Sequence, residues 1–304
     1  MVKDVVVNLL VVEGRDPACD YALSVAHAFN AHLTGIAFAY DPVLAIAGEA
    51  MPPVSIEEQR AKAAEAAKAA VARFEEGVNR VGLSADSRVR NAALGEAPEL
   101  FGQIARRFDL SIVQQNNPER PTNENLVIEA ALFDSGRPVL IVPYIQAEGL
   151  SLKHVLVCWD GSRNAARAIA DAQPFLARAK AIEVVTVGTD LKSTEVSGAD
   201  IANHFARHGL NVELKKIAIT DVDVPNAILS RAADVSADLI VMGGYRHSRL
   251  REFFLGGATR GILAAMTVPT IMSHRMAGGS ARRRSAVFRQ TRDQAASESL
   301  VIRT

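Results

Sequence analysis

The stretch DLIVMGGYRHSRLREFFLGGAT, residues 238–259, decides how this chain is organised. It opens with an apolar run at residues 239–242, which is short enough to be one buried strand. Two glycine pairs follow, Gly243-Gly244 and Gly256-Gly257. A helix start comes after the second pair, at residues 258–263. A glycine-rich segment between a strand and a helix can hold an anion, because bare backbone N–H groups and the positive helix end point to one place. The stretch therefore predicts an anion site.

Strand-like and helix-like segments alternate on both sides of that stretch. In the first half the predicted strands lie at residues 5–10, 32–39, 84–90, 110–113 and 139–142. Helical patterns separate them, and the run from Ser55 to Glu58 has the form of a capping box, which predicts that the second helix begins there. Regular alternation of this kind predicts a parallel sheet with helices on both faces.

The second half repeats the plan of the first half. Lys153 and the apolar residues after it match Lys3 and the apolar residues that follow it. Asp238 precedes a strand as Asp109 does, and residues 268–272 match residues 138–142. Because the same elements recur in the same order over a long period, the sequence indicates two copies of one domain. We predict domains at residues 1–148 and 149–274, followed by a disordered tail at 275–304 that is rich in glycine, arginine and polar residues.

Composition narrows the class of protein. The 304 residues include 34 basic and 34 acidic side chains, so the formal net charge of zero argues against nucleic acid or an anionic membrane as a partner. No run approaches the roughly 20 apolar residues that span a bilayer. The two cysteines, Cys19 and Cys158, give neither a disulfide framework nor a metal-binding spacing. We expect a cytoplasmic protein.

The glycine spacing resembles the nucleotide-binding signature of the universal stress protein family. That signature is a glycine, two residues, a glycine, nine residues, a glycine and then Ser or Thr; Gly243 and Gly256 match its first and last glycines. Arg246 stands where the second glycine is expected and Gly257 where the hydroxyl residue is expected, while Thr259 offers a hydroxyl two residues later. The resemblance covers both halves, to about residue 274, so the chain is similar to the tandem, two-domain type.

This resemblance implies a specific α/β fold. Each half is expected to be a Rossmann-like domain of the adenine nucleotide alpha hydrolase type, a five-stranded parallel sheet of order 3-2-1-4-5 with helices on both faces. The halves are expected to pair through their last strands as an intramolecular pseudo-dimer, which would cover two sheet edges that are otherwise open. A homodimer of the whole chain is a further expectation.

The same resemblance places ATP in the second half. In a sheet of this order the ligand crevice lies between strands 1 and 4, at their carboxyl ends. Asp160 would contact the ribose or a phosphate-bound Mg²⁺, Val187 would lie at the adenine, and the glycine segment would hold the phosphates. The candidate residues are Asp160, Val187, Met242, Gly243, Arg246, Gly256, Gly257, Ala258 and Thr259. Alternatively, Asp160 and Ser162 cap the following helix, and of the two Ser162 is the better cap.

Two parts of this interpretation stay open. The basic residues of the loop are Arg246, His247, Arg249 and Arg251. Either they clamp phosphate, or they form a solvated loop, or the Arg246 side chain blocks the site. The first half reads QQNNPER after its fourth strand and has no glycine there before Gly136, although Glu13 could stand near the acidic position. We expect no nucleotide in the first half in this mode.

Three functions compete at this level. One is a stress-response protein that binds ATP for regulation or signalling, the second is a scaffold that binds no nucleotide and acts through protein contacts, and the third is a weak ATPase or autophosphorylating protein. No Gly-x-Ser-x-Gly elbow, Walker motif or His-Glu-x-x-His motif occurs in the chain, and Cys158 is interpreted as packing. The patterns favour binding over catalysis.

Overall fold

The computed structural model describes residues 1–12, 14–41, 53–120, 122–187, 198–217, 223–244 and 257–274. Its strands are β1 (Asp4–Leu9), β2 (His32–Tyr40), β3 (Ala85–Ala92), β4 (Leu110–Gln114), β5 (Val139–Val142), β6 (His154–Cys158), β7 (Ala181–Val187), β8 (Val212–Ile217), β9 (Leu239–Gly243) and β10 (Thr270–Ser273). Its helices are α1 (Pro17–Phe29), α2 (Pro53–Val81), α3 (Ala97–Ala105), α4 (Glu124–Asp134), α5 (Arg163–Leu176), α6 (Gly198–Arg207), α7 (Val224–Asp234) and α8 (Gly257–Ala265).

These strands form one continuous sheet in the order β3-β2-β1-β4-β5-β10-β9-β6-β7-β8. Read from either outer edge to the centre, each half therefore has the order 3-2-1-4-5. The two central strands, β5 and β10, pair antiparallel with Leu140 opposite Ile271, whereas the other strand pairs are parallel. This pairing closes two edges that would otherwise expose unpaired backbone groups.

The chain from Met1 to His274 is one compact unit, because the sheet runs through both halves without a break. The division into domains at residues 1–148 and 149–274 stays a prediction drawn from the repeated sequence. The predicted disordered tail, residues 275–304, lies outside the described residues.

Two apolar cores lie on the two faces of the sheet. One contains residues of α1, α2, α5 and α6, and the other contains residues of α3, α4, α7 and α8. Side chains of β1 alternate between them, since Val5 and Val7 belong to the first core and Val6 to the second. Both faces of the predicted parallel sheet are therefore covered, and the α/β fold class is confirmed.

A repeated hydrogen bond marks the duplication. The Asp109 Oδ2 atom accepts from the backbone N–H groups of Lys3 at 2.8 Å and Asp4 at 3.1 Å. In the second half the Asp238 Oδ2 atom accepts from the His154 N–H at 2.8 Å. Each aspartate thus ties the start of strand 4 to the start of strand 1 of the same half, at the positions that the sequence comparison paired.

The start of α2 differs from the prediction. The helix begins at Pro53, so residues 55–58 lie inside its first turns and do not form its cap. Proline has a fixed φ and no N–H, which suits the first helical position, and this preference explains the earlier start.

No helix in the described ranges combines the length and the apolar character that a membrane span needs.

Side chains also join the two halves above and below the central strands. On one face the Phe29 and Phe175 rings lie 4.7 Å apart edge to face, and the Arg178 guanidinium lies 4.2 Å from the Phe29 ring centre. On the other face the Gln115 Nε2 atom donates to the Leu263 carbonyl of α8 at 2.9 Å. These contacts fix helices of one half against those of the other.

Candidate functional site

The carboxyl ends of β6 and β9 define the crevice of the second half. The two strands are direct neighbours, with Val157 opposite Val241. The helix that follows β6, α5, packs on one face of the sheet, and the helix that follows β9, α8, packs on the other. Where neighbouring strands send their helices to opposite faces, a space opens at the sheet edge, and ligands of open α/β sheets bind there.

Asp160 lies at this edge, in the turn between β6 and α5. Its side chain is exposed, and its Oδ1 atom accepts from the Ser162 backbone N–H at 2.9 Å. The turn needs Gly161, whose φ of +72° is strained for other residues. Ser162 is the cap of α5, since its Oγ atom accepts from the Ala165 N–H at 3.1 Å, as the sequence favoured. One carboxylate oxygen of Asp160 is thus held by the turn, and among the described residues no hydrogen bond to the other oxygen is seen.

Gly243, at the end of β9, packs directly against the start of α5. A Cβ atom at this position would lie 2.6 Å from the Ala165 backbone nitrogen and 2.7 Å from the Asn164 carbonyl carbon. The position excludes any side chain because the helix backbone occupies that space. Glycine is thus required here by strand–helix packing, a reason that the motif alone does not reveal.

Gly244, the last described residue before the basic loop, is fixed by both halves. Its carbonyl accepts from the Asn164 Nδ2 atom at 2.8 Å and lies 3.0 Å from the His274 Nδ1 atom. A Cβ atom on Gly244 would lie 2.6 Å from Leu132 of the first half, and the His274 ring meets Phe133 edge to face at 4.8 Å. Helix α4 of the first half therefore supports the entry to the glycine-rich segment of the second half.

The opposite wall of the crevice is the first turn of α8. Among the described residues no atom would lie within 4 Å of a Cβ atom added at Gly257, and the turn carries no acidic residue. Ala258 is half-buried, whereas Thr259 is only 3% exposed, so its side chain is enclosed by protein. The described residues thus leave the backbone N–H groups at the start of α8 uncovered by a side chain.

The remaining described candidates lie at or near the carboxyl ends of their strands. Val187 ends β7 and is half-buried, while the Met242 side chain is buried in the core that α8 covers.

Burial raises the pKa of the nearby Cys158 thiol to about 12, and the charge of Asp160 adds to the shift. Cys158 is therefore a protonated thiol at neutral pH, in keeping with a packing role.

Several predicted residues fall outside the described ranges. Two of them, Arg246 and Gly256, belong to the candidate site, and a third is Glu13. The others are the remaining basic residues of the loop, His247, Arg249 and Arg251. Within the described ranges no group of three or more His, Cys, Asp and Glu side chains gathers as metal ligands would. Any Mg²⁺ here would have to share Asp160 with phosphate oxygens and water.

The corresponding crevice of the first half is filled differently. Its helix α4 begins at Glu124, which is 4% exposed. Burial raises the pKa of this carboxyl, its own backbone N–H opposes the shift, and the charge of Asp16 at the start of α1 adds to it. A carboxylate of the chain thus occupies the helix N-terminus that, in the second half, is left to Gly257.

Sequence reasoning missed three residues that shape these crevices. Asn164 and His274 lie more than a hundred residues apart in sequence, yet the Asn164 Nδ2 and His274 Nδ1 atoms are 3.1 Å apart and both lie close to the Gly244 carbonyl. Glu124 is an ordinary residue for a first helical turn, and nothing in its neighbourhood signals burial. Comparing the two copies position by position at the start of the fourth helix is the signal that would have found Glu124.

The fold and the crevice define an α/β protein of the Rossmann-like class with its site at the strand-order reversal. Residues 151–274 match the model of the universal stress protein family. This part of the chain is therefore a universal stress protein domain, and the predicted family is confirmed for it. No curated protein sequence resembles the chain closely enough to count as a match.

Solved structures extend the likeness to both halves. A universal stress protein from Archaeoglobus fulgidus DSM 4304 is 15% identical, covers 90% of this chain and 98% of its own, and superposes with a TM-score of 0.68. A functionally unknown protein from Pseudomonas aeruginosa PAO1 is 14% identical, covers 90% and 92%, and has a TM-score of 0.58. At this identity the likeness establishes a shared fold over nearly the whole described chain.

Proposed function

We propose that this protein binds an adenine nucleotide, ATP, in its second half and acts in a stress response as a regulatory or signalling protein. One observation carries the proposal. Helix α8 starts at the crevice with Gly257, where no described residue lies within 4 Å of an added Cβ atom and the first turn has no carboxylate. Free backbone N–H groups and the positive end of a helix bind phosphate, and among the described residues no side chain obstructs them here.

Each described residue of the candidate site would contact a different part of the nucleotide. The N–H groups of residues 257–259 would hold phosphate oxygens, and Val187 at the end of β7 would border the base. Asp160 keeps one carboxylate oxygen that Ser162 does not use, and this oxygen suits a ribose hydroxyl or a hydrated Mg²⁺ shared with the phosphates. Arg246 and Gly256 belong to the same proposal through the sequence motif.

Binding, more than turnover, fits the chemistry of the described crevice. The Cys158 thiol is kept protonated by burial, so it is a poor nucleophile. Asp160 lies in an exposed turn, where no second side chain in the described ranges is hydrogen-bonded to it as a catalytic partner. A regulatory role needs only a nucleotide that binds and a surface that responds to it.

The direct test is to purify the protein, denature it and identify any nucleotide released. Calorimetric titration with ATP should then show one site per chain, and Asp160→Asn should weaken it. Asp86→Asn, an exposed residue of β3 in the first half, is the matched control and should change nothing. If neither released nucleotide nor binding heat is found, with or without Mg²⁺, the proposal is wrong.

A further inference from the structure

The first half has its own crevice beyond the carboxyl ends of β1 and β4. These strands are neighbours, with Val7 opposite Ile112. Helix α1 packs on one face of the sheet and α4 on the other, so the chain again opens a space at the strand-order reversal. Four polar residues from three elements lie at this edge: Asn8, Tyr40, Asn123 and Glu124.

Two of these side chains are buried with an acceptor atom unused. Asn8 is 3% exposed and Glu124 is 4% exposed. The Asn8 Oδ1 and Glu124 Oε2 atoms have no hydrogen-bond partner among the described residues. A buried polar atom without a partner costs free energy, so each such atom in a folded protein calls for an explanation, and a bound ligand is one.

Both side chains lie on the α4 side of the sheet. Asn8 has the same orientation as Val6 because side chains alternate along β1, and Val6 lies in the core that α4 covers. Glu124 raises the pKa of Tyr40 through its charge, in addition to the larger effect of burial, so the carboxylate lies close to the end of β2. Its carboxylate also interacts with Asp16 across the edge.

The chemistry of this crevice is that of an acceptor site. The Tyr40 hydroxyl donates to the Asn123 Oδ1 atom at 3.1 Å and keeps its own oxygen as an acceptor. Arg73 belongs to α2, which packs on the opposite face of the sheet, and its Nη2 atom donates to the Leu10 carbonyl at 3.1 Å and the Val12 carbonyl at 2.9 Å. Acceptor oxygens and negative charge thus prevail at this edge.

We propose that the crevice of the first half is a second ligand site, which takes the primary ammonium group of a small organic molecule. An ammonium group has three N–H donors and no acceptor, so it suits the unused acceptor atoms of Asn8 and Glu124. Its charge offsets the burial of the Glu124 carboxylate, whereas a phosphate would be repelled by it. The site is independent of nucleotide binding in the second half.

An organic cation fits better than a metal ion. No group of three or more His, Cys, Asp and Glu side chains in the described ranges could act as a ligand set. An ammonium group needs directional hydrogen bonds to oxygen atoms, and amide, phenol and carboxylate oxygens all provide them.

The test is a calorimetric titration of the full chain with n-butylammonium chloride at constant ionic strength. Tetramethylammonium chloride is the matched probe, since it carries the same charge but has no N–H donor. We expect butylammonium to bind at one site and tetramethylammonium not to bind. Glu124→Gln should weaken butylammonium binding at least about tenfold, because hydrogen bonds to charged groups have that effect.

Two further variants decide whether the crevice is responsible. Asn8→Leu keeps the strand and the volume but removes the acceptor, and it should also weaken butylammonium binding. Glu99→Gln removes one charge from an exposed position of α3 and should leave binding unchanged. Absence of any butylammonium binding, equal binding of the two cations, or unchanged binding in the Glu124→Gln and Asn8→Leu proteins would each overturn the proposal.

Discussion

The starts of α4 and α8 occupy the same place in the two halves, yet they present opposite chemistry. Helix α4 begins with the buried carboxylate of Glu124, whereas α8 begins with Gly257, which has no side chain. Both helix ends have the positive end of a dipole. In the first half that end faces the chain's own anion, and in the second half the helix begins without one. Under the two binding proposals, this one position determines which ligand each crevice accepts.

The largest effect that we expect comes from giving the second half the residue of the first. In Gly257→Glu the new side chain meets no described residue at its Cβ atom, since none lies within 4 Å. The carboxylate would compete with phosphate at the N-terminus of α8 and repel it. ATP affinity should fall at least about a hundredfold, since like charges placed together cost several kcal/mol. Calorimetric titration measures the loss.

Gly257→Gln separates charge from size in this experiment. It fills the same volume without the negative charge, and it should retain most of the affinity. Equal affinities of the Glu and Gln variants would show that the start of α8 does not hold phosphate.

The second effect concerns the support that α4 gives to Gly244. Gly244→Ala should destabilise the fold by about 1–3 kcal/mol, because the new methyl group overlaps Leu132. Leu132→Ala makes room but loses about 2–5 kcal/mol of packing. In the double variant the losses should be less than additive by about 1 kcal/mol or more, as measured by urea unfolding.

Gly95→Ala is the control, because a Cβ atom there meets nothing within 4 Å. It should not couple to Leu132→Ala. Full additivity of Gly244→Ala and Leu132→Ala would mean that the two halves do not meet at this point.

A third, smaller effect probes the other contact between the halves. Gln115→Met keeps the side-chain volume but leaves the Leu263 carbonyl without its donor, so unfolding should become easier by about 1–2 kcal/mol. Hydrogen exchange at the end of α8 should accelerate in this variant. Gln103→Met, at an exposed position of α3, should do neither.

The smallest effect is pH-dependent and comes from Glu124→Gln. Because the folded-state pKa of Glu124 is raised, wild-type stability is complete below the unfolded pKa and falls as pH rises through the folded pKa. The Gln variant lacks this loss, so its advantage in unfolding free energy should be absent near about pH 4 and present near about pH 8. Urea unfolding at both pH values checks the sign, and an advantage confined to the acidic value would contradict it.

Much of the fold followed from local patterns. Apolar runs of four to six residues bounded by turns located the strands, and the paired echoes of Asp109 and Asp238 located the duplication. The start of α2 was wrong because Pro53 allows an earlier helix start than the Ser55 pattern suggested. Helix ends depend on small differences between neighbouring residues, so they are the least certain feature of any sequence pattern.

The sites were less accessible to sequence reasoning because they depend on contacts between distant segments. The pattern identified Gly243 but not its reason, which is the closeness of the α5 backbone. Asn164, His274 and Leu132 converge on Gly244 from three different elements, and no spacing rule connects them. Burial of Glu124 likewise depends on how α4 packs on the sheet.

The antiparallel seam between β5 and β10 has a consequence for how the protein is assembled. A lone copy of either half would present a bare strand and would find a partner only by collision, at a rate set by its concentration. Covalent fusion makes that encounter intramolecular and effective at any dilution. It also guarantees that every molecule carries one crevice of each kind, so the two copies were free to diverge without ever losing their one-to-one ratio.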